Sequence, residues 1–300
     1  MAPAQKRVFI LGGGAALGAH QVGALKYLEE QGITPDAFVC SSIGVINGCA
    51  YATGGVRQLE AAWKTFRSIP QIVSPSLRHN PVFGLSFFSM TRLTEAVERY
   101  VDFRAVFDSP LELEFVILNL SRGSGEVYAK SQCTDWRELR TLSRAGYAIP
   151  LLFPPIRFRG DWFVDGGFAW NVPLERAIAL GATEIYLLAP IASQLPYKSH
   201  FTSLLDFARR FGDVMWRTIG NMGYLYAFME DGRFHDVPVT VIEPGEQWSG
   251  FGPFTVFSAY PRKNQNLMAA GYRDAKRALA ARKRRETSRP GRTPAARSAS

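Results

Sequence analysis

The stretch Val8-Phe9-Ile10-Leu11-Gly12-Gly13-Gly14-Ala15-Ala16-Leu17-Gly18 decides how this chain folds. Four consecutive apolar residues read as a short strand buried on both faces, and the glycines behind them as a tight loop. The stripe Val22, Leu25 and Leu28, stopped near Gly32, then reads as a helix. Strand, glycine loop and helix together open a parallel sheet covered by helices. The order returns at once, with Phe38–Cys40 as a strand, Ser41-Ser42-Ile43-Gly44 as a turn, and Val45 to Ala52 as a helix of small residues ended by Gly54-Gly55. Further strands are expected at Leu111–Leu118, Glu126–Lys130, Ile185–Ala189 and Val239–Ile242. Ile156–Phe158 and Trp162–Val164 should form a hairpin around Arg159-Gly160-Asp161. Helices are expected over 57–67, 90–100, 173–180, 202–217 and 264–281.

Composition agrees with a globular α/β chain. Of 300 residues, 47% are apolar and 20% charged, which excludes a disordered or fibrous protein. The best apolar run, Leu142 to Phe158, is broken by Arg144, Gly146 and three prolines, so no transmembrane helix is expected. Val8–Leu11 is too short for a signal-peptide core, and a cytoplasmic location is expected. Cys40, Cys49 and Cys133 show no paired spacing and suggest neither disulfides nor zinc. The net charge of +9 looks like a nucleic-acid or membrane signal until it is located. Residues 282–300 hold seven Lys and Arg against Glu286 alone, so most of the excess lies in one tail and no nucleic-acid partner is implied. That tail should be a disordered, solubilising end, with contact to anionic lipid headgroups as the alternative.

Three segments carry chemistry. Glycines let a backbone approach a ligand closely, and amides at a helix N-terminus attract an anion, so Gly12, Gly13 and Gly14 suit a phosphate or an oxyanion. A dinucleotide site is the competing reading, but the second strand ends in Cys40-Ser41-Ser42, where a ribose-binding charged residue is wanted. Ser42 sits between strand and helix with small Cys40 and Gly44 two residues either side, the setting of a nucleophile elbow. Taken alone it reads first as a helix N-cap and only second as a nucleophile. Asp165, at a strand end before Gly166-Gly167, fits a general base or a plain Asp-Gly turn.

Together these segments resemble the patatin-like lipid acyl hydrolases. The likeness runs through Leu11 to Gly23, Ser41-Ser42-Ile43-Gly44-Val45-Ile46-Asn47-Gly48, Ala148-Ile149-Pro150-Leu151-Leu152-Phe153-Pro154-Pro155, Trp162 to Pro173 and Gly181-Ala182, and Ala270 to Ala275 looks like the family's closing helix. It implies one three-layer α/β/α domain over 5–281 with a mostly parallel central sheet. It also implies a Ser42-Asp165 dyad, an oxyanion hole at Gly12, Gly13 and Gly14, a lipid ester substrate and no metal or organic cofactor. Cys40 replaces the elbow's first glycine, Ala15 a loop glycine, and Leu17 the usual arginine, which leaves the site dependent on backbone amides. A non-catalytic lipid-binding or scaffolding protein of the same fold is the reading from another class.

Histidine separates a dyad from a triad. His20, His79, His200 and His235 all read as solvated or helix-end residues without a catalytic signature. The aromatic segment 82–90 and the stripe Phe201, Leu204, Leu205, Phe207, Phe211, Val214, Met215 and Trp216 read mostly as core, with an acyl groove or a lipid interface as the alternative.

Overall fold

The opening run forms β1 (Arg7–Leu11), and the second unit forms β2 (Ala37–Cys40), paired with β1 in parallel. The computed structural model describes residues 5–66, 74–75, 84–195, 197–219, 229–245 and 260–287. Along the chain follow β3 (Glu112–Asn119), β4 (Ser124–Ala129), β5 (Ile156–Phe158), β6 (Asp161–Asp165), β7 (Glu184–Leu188), β8 (Arg233–Phe234) and β9 (Val237–Ile242). The sheet order is β8-β9-β7-β1-β2-β3-β6-β5, with β4 also paired to β3. The five strands β9, β7, β1, β2 and β3 are parallel, whereas β4, β5, β6 and β8 enter antiparallel at the flanks. A second, two-stranded ladder joins Ser74–Pro75 to Phe88–Ser89.

Successive residues of β1 point to opposite faces of the sheet, and each face has its own core. Phe9 and Leu11 join one cluster, together with residues of α1 (Ala19–Glu30), α2 (Ile43–Thr65), α5 (Trp136–Gly146) and α8 (Pro261–Thr287). Val8 and Ile10 join the other, under α6 (Leu174–Ala179). These are the three layers expected. Arg176 of α6 bonds the buried Glu114 of β3, which ties that cover to the sheet. The remaining helices are α3 (Thr91–Glu98), α4 (Phe103–Asp108) and α7 (Leu204–Ile219).

The two helices expected at 45–52 and 57–67 are the two segments of α2, parted by a kink where Gly54 and Gly55 leave helical geometry. Neither α4 nor α5 was expected. Both begin at an aspartate whose carboxylate accepts two backbone amides, Asp102 for α4 and Asp135 for α5. The last helix is longer than the expected 264–281. Helix α8 runs on to Thr287, because Arg282 folds back to bond Glu184 of β7 and also pairs with Glu286 one turn on. Residues 288–300 lie outside the described residues.

Helices α1 and α8 cross at backbone contact. A Cβ on Gly23 would stand 1.7 Å from the Met268 carbonyl oxygen, and one on Gly271 would stand 1.9 Å from that of His20. This crossing corrects the reading of His20 as a solvated histidine. It is fully buried, with Nε2 2.9 Å from Asp274 Oδ2 of α8. His79 lies outside the described residues.

Candidate active site

Two strand ends meet along one edge of β3. β2 pairs with its first half in parallel and ends with Cys40 opposite Phe115. β6 pairs with its second half, antiparallel, and ends with Asp165 opposite Ile117. Ser42 leaves one end and Asp165 closes the other, so 123 residues of separation collapse to neighbouring positions on a single strand.

Ser42 has φ 53° and ψ −122°, a left-handed conformation that costs a non-glycine residue about 1–3 kcal/mol. It occupies the N-cap position of α2 but makes no side-chain capping bond, so its hydroxyl is not spent on the helix. The turn is tight on every side. A Cβ on Gly44 would come within 2.1 Å of the Leu11 carbonyl oxygen, and one on Gly48 within 2.8 Å of Cys40 Sγ. Cys40 therefore fills the space that a glycine at the elbow would leave, and its buried thiol is held well above its ordinary pKa by desolvation. Ser41 is also buried and donates to the Trp170 carbonyl at 3.0 Å, tying the elbow to the segment beyond Asp165.

Asp165 is 1% exposed. Its Oδ1 accepts the Gly167 amide at 2.8 Å, so the Asp-Gly turn is present, but Oδ2 completes no well-formed hydrogen bond with a described group. Burial pushes the carboxyl up to about 7, while the Ser42 hydroxyl and then the Gly167 amide draw it down. The Ser42 hydroxyl thus stands close enough to favour the carboxylate without closing a fully aligned bond to Oδ2. Gly13, Ala15, Ile149, Gly167, Phe168 and Asn171 surround the pair.

The glycine loop lies against Ser42. A Cβ on Gly13 would approach Ser42 Cβ to 2.8 Å, which explains glycine there. Two of the three glycine amides are engaged within the protein. The Gly12 amide donates to the Leu188 carbonyl at 3.2 Å, and the Gly13 amide to Asn171 Oδ1 at 2.5 Å. Gly14 makes no backbone hydrogen bond through its amide among the described residues. Leu17 is buried in the core cluster of the α1–α2 face, so the position usual for arginine points into packing.

A buried polar chain stiffens this loop, and sequence reading had not isolated it. Trp63 Nε1 donates to Asn47 Oδ1 at 2.9 Å, and Asn47 Nδ2 donates to Gln21 Oε1 at 2.8 Å. Gln21 Nε2 donates to the Gly12 carbonyl at 2.7 Å and to that of Leu188 at 2.9 Å. Gln21, Asn47 and Asn171 are amide side chains set among apolar or small residues, and that contrast was the signal available. The described histidines stand elsewhere. His200 meets Ser199, and exposed His235 meets Glu175 of α6 at 3.3 Å.

Beside Ser42 opens an apolar cavity of about 860 Å³, lined among others by Ile46, Leu59, Trp63, Phe88, Leu93 and Phe153. Arg92, Glu95 and Arg99 supply its charged lining. Phe88 is thus the part of the aromatic 82–90 segment that reaches a groove, while Met90 is core and Leu85 and Phe87 are exposed. Residues 82–83 lie outside the described residues.

The patatin-like phospholipase family model matches residues 9–178. Patatin-like phospholipase domain-containing protein 6 of Homo sapiens is 28% identical over 180 residues, covering 59% of this chain and 13% of that protein. Lysophospholipase nte1 of Aspergillus niger is 32% identical over 185 residues, covering 59% of this chain and 11% of that one. The chain therefore spans only a small part of these curated relatives. The crystal structure of VipD from Legionella pneumophila superposes with a TM-score of 0.50 at 13% identity, over 93% of this chain and 67% of that one, a likeness of fold. Because the matched stretch fills more than half of the chain and holds the glycine loop, the strained serine and the buried aspartate together, the chain belongs to the patatin-like phospholipase family.

Proposed function

We propose that this protein hydrolyses carboxylic esters of lipids through an acyl-Ser42 intermediate, with Asp165 as the sole general base. The observation that carries the reading is the pairing of an uncapped, strained Ser42 with a buried carboxylate that titrates near 7, at the edge of an apolar cavity. A base poised near the working pH combines the right protonation state with useful basicity. As Ser42 Oγ attacks the ester carbonyl, its proton passes to Asp165 and the carbonyl oxygen becomes an oxyanion. Collapse expels the alcohol, which takes the proton from Asp165, and leaves the acyl-serine. Water then attacks the acyl carbon, giving its proton to Asp165; collapse releases the fatty acid and returns that proton to Ser42.

The Gly14 amide, at the start of the turn into α1, is the loop donor we assign to the oxyanion, joined by the Ile43 amide at the N-terminus of α2. Asn171 holds the Gly13 peptide from both sides, accepting its N–H and donating weakly to its carbonyl at 3.4 Å, and so fixes the loop in place. The cavity suits an acyl chain, because most of the side chains around it are apolar.

Fluorophosphonate labelling tests the assignment. The protein should be labelled and should turn over a soluble short-chain p-nitrophenyl ester, and Ser42→Ala should abolish both. Labelling that survives in Ser42→Ala removes Ser42 as nucleophile. A folded wild type that neither labels nor hydrolyses favours the lipid-binding scaffold instead.

A further inference from the structure

Helix α2 folds back on itself beside the cavity. Trp63 Nε1 bonds Asn47 Oδ1 at 2.9 Å, yet 16 residues of straight helix would part those positions by about 24 Å, more than two side chains can bridge. The kink supplies the reversal, since Gly55, at φ 64° and ψ −160°, takes a conformation open to glycine alone. Both segments then line the cavity, Ile46 and Ala50 from the first and Leu59, Ala62 and Trp63 from the second. The end of the returning segment is pinned from α8, where buried Asn264 donates to the Trp63 carbonyl at 3.0 Å and to that of Phe66 at 3.3 Å. Among the described residues, none of α7 joins this wall. Its apolar stripe, expected to be core, is corrected: Leu204, Phe207 and Phe211 face solvent, and Arg217 on the other side donates to the Ala192 carbonyl at 2.7 Å.

The Trp63 indole belongs to the cavity wall and to the support of the glycine loop at once. A Cβ on Gly18, where the loop turns into α1, would stand 3.1 Å from Trp63 Cζ2, so the ring rests against that end of the loop. Its N–H reaches the loop by a second route. Asn47, which accepts that N–H, donates through Nδ2 to the Gly18 carbonyl at 3.0 Å and to Gln21 at 2.8 Å, and Gln21 donates to the Gly12 carbonyl at 2.7 Å. Asn47 and Gln21 are fully buried and Trp63 is nearly so, which makes any one of these bonds costly to leave unmade. Gly12 and Gly18 bracket Gly14, the loop donor assigned to the oxyanion. A shift of the indole is therefore felt at both ends of the segment that carries this donor.

We propose that Trp63 is a positioning residue that makes the length of the acyl chain count in kcat. A chain that fills the cavity presses the indole onto Asn47 and Gly18 and so sets the Gly14 amide for the oxyanion. A short chain leaves the ring held by its own hydrogen bond. Binding energy from a part of the substrate that does not react is thereby used at the reacting carbonyl, which is how truncated substrates lose kcat as well as affinity. The inference rests on the reading of Ser42 as nucleophile and adds to it the place where chain length is sensed.

Steady-state kinetics on p-nitrophenyl butyrate and octanoate, both kept below aggregation, test it in the wild type and in Trp63→Phe. The substitution keeps an apolar ring in the wall and removes the N–H. The wild type should show a kcat for octanoate about fivefold or more above that for butyrate, the scale of one neutral hydrogen bond. In Trp63→Phe that ratio should fall to about one, while KM still favours octanoate because the wall stays apolar. Far-ultraviolet circular dichroism and the urea midpoint establish that the variant is folded. Should it fail to fold, Asn47→Ser cuts the chain one link nearer the loop and should flatten the ratio in the same way. A variant that keeps the wild-type ratio overturns the proposal, even where both of its rates have fallen by a common factor. A wild type whose selectivity lies wholly in KM, with equal kcat for the two esters, overturns it as well and leaves Ser42 standing. A wild type that hydrolyses neither ester removes the reading of Ser42 and this inference with it.

Discussion

Replacing Asp165 by asparagine separates what the carboxylate does for the reaction from what its burial does to the fold. The side chain is 1% exposed, and its pKa stands at about 7 instead of 3.8. The folded protein therefore keeps a proton that the unfolded chain has already released. Stability from this group is fully present below the unfolded value and is lost as pH rises through the folded one. A shift of about three units, at ~1.36 kcal/mol each, makes the whole loss about 4 kcal/mol. Asparagine keeps the acceptor for the Gly167 amide but has no proton to lose, so its stability lacks this fall. Urea unfolding of both proteins at about pH 5 and about pH 8 should show the difference between them moving in the variant's favour by roughly 2–3 kcal/mol. The other titrating groups, Asp213 with its own raised pKa of about 6 among them, are common to both proteins and cancel. Turnover of a soluble ester should meanwhile fall to background. Parallel pH curves for the two proteins would refute the reasoning, because the Asp165 carboxyl would then ionise at the same pH in the folded and unfolded chains.

Two further outcomes follow from the packing. Leu17→Arg should destabilise the protein by about 3 kcal/mol or more and leave the rate on a soluble ester no higher, because it sinks an unpaired guanidinium into core; the urea midpoint checks the first and kcat the second. His200→Ala and His235→Ala should each leave kcat within about tenfold, roughly 1.4 kcal/mol of barrier, since their rings meet Ser199 and Glu175 rather than the site; loss of turnover in either would restore a triad.

The parallel strands were legible because strands buried on both faces leave continuous apolar runs, and Phe38–Cys40 and Ile185–Ala189 fall within a residue of β2 and β7. The β5–β6 hairpin was legible through its turn, where Arg159 and Gly160 both take positive φ, at 47° and 93°. Helix α5 was not, because its last residues merge into the apolar stretch from Leu142, although Asp135 ahead of it was a cap in plain view. The orientation of α7 could not be read at all. An amphipathic pattern shows that a helix has two sides, but which side meets the protein depends on whether distant groups such as the Ala192 carbonyl are there to receive its charges.

The proposed Ser42-Asp165 dyad rests on something no local motif encodes, the register of β6 against β3. A slip of one residue would turn Asp165 to the opposite face of the sheet and away from Ser42. What prevents the slip is Gly166: a Cβ there would lie 2.4 Å from the Val116 carbonyl oxygen, so only glycine lets the chain press onto β3 immediately after Asp165. Beside this contact the carboxylate is buried, and its desolvation raises its pKa. The glycine two residues after Ser42 does the corresponding work at the other strand end, since Gly44 lets α2 cross the end of β1 at backbone distance. A serine and an aspartate without histidine therefore become a plausible catalytic pair only because each is followed by a residue with no side chain. This is why S-x-G and D-G-G, weak patterns when read singly, become strong when the topology drives both strand ends onto one edge of β3.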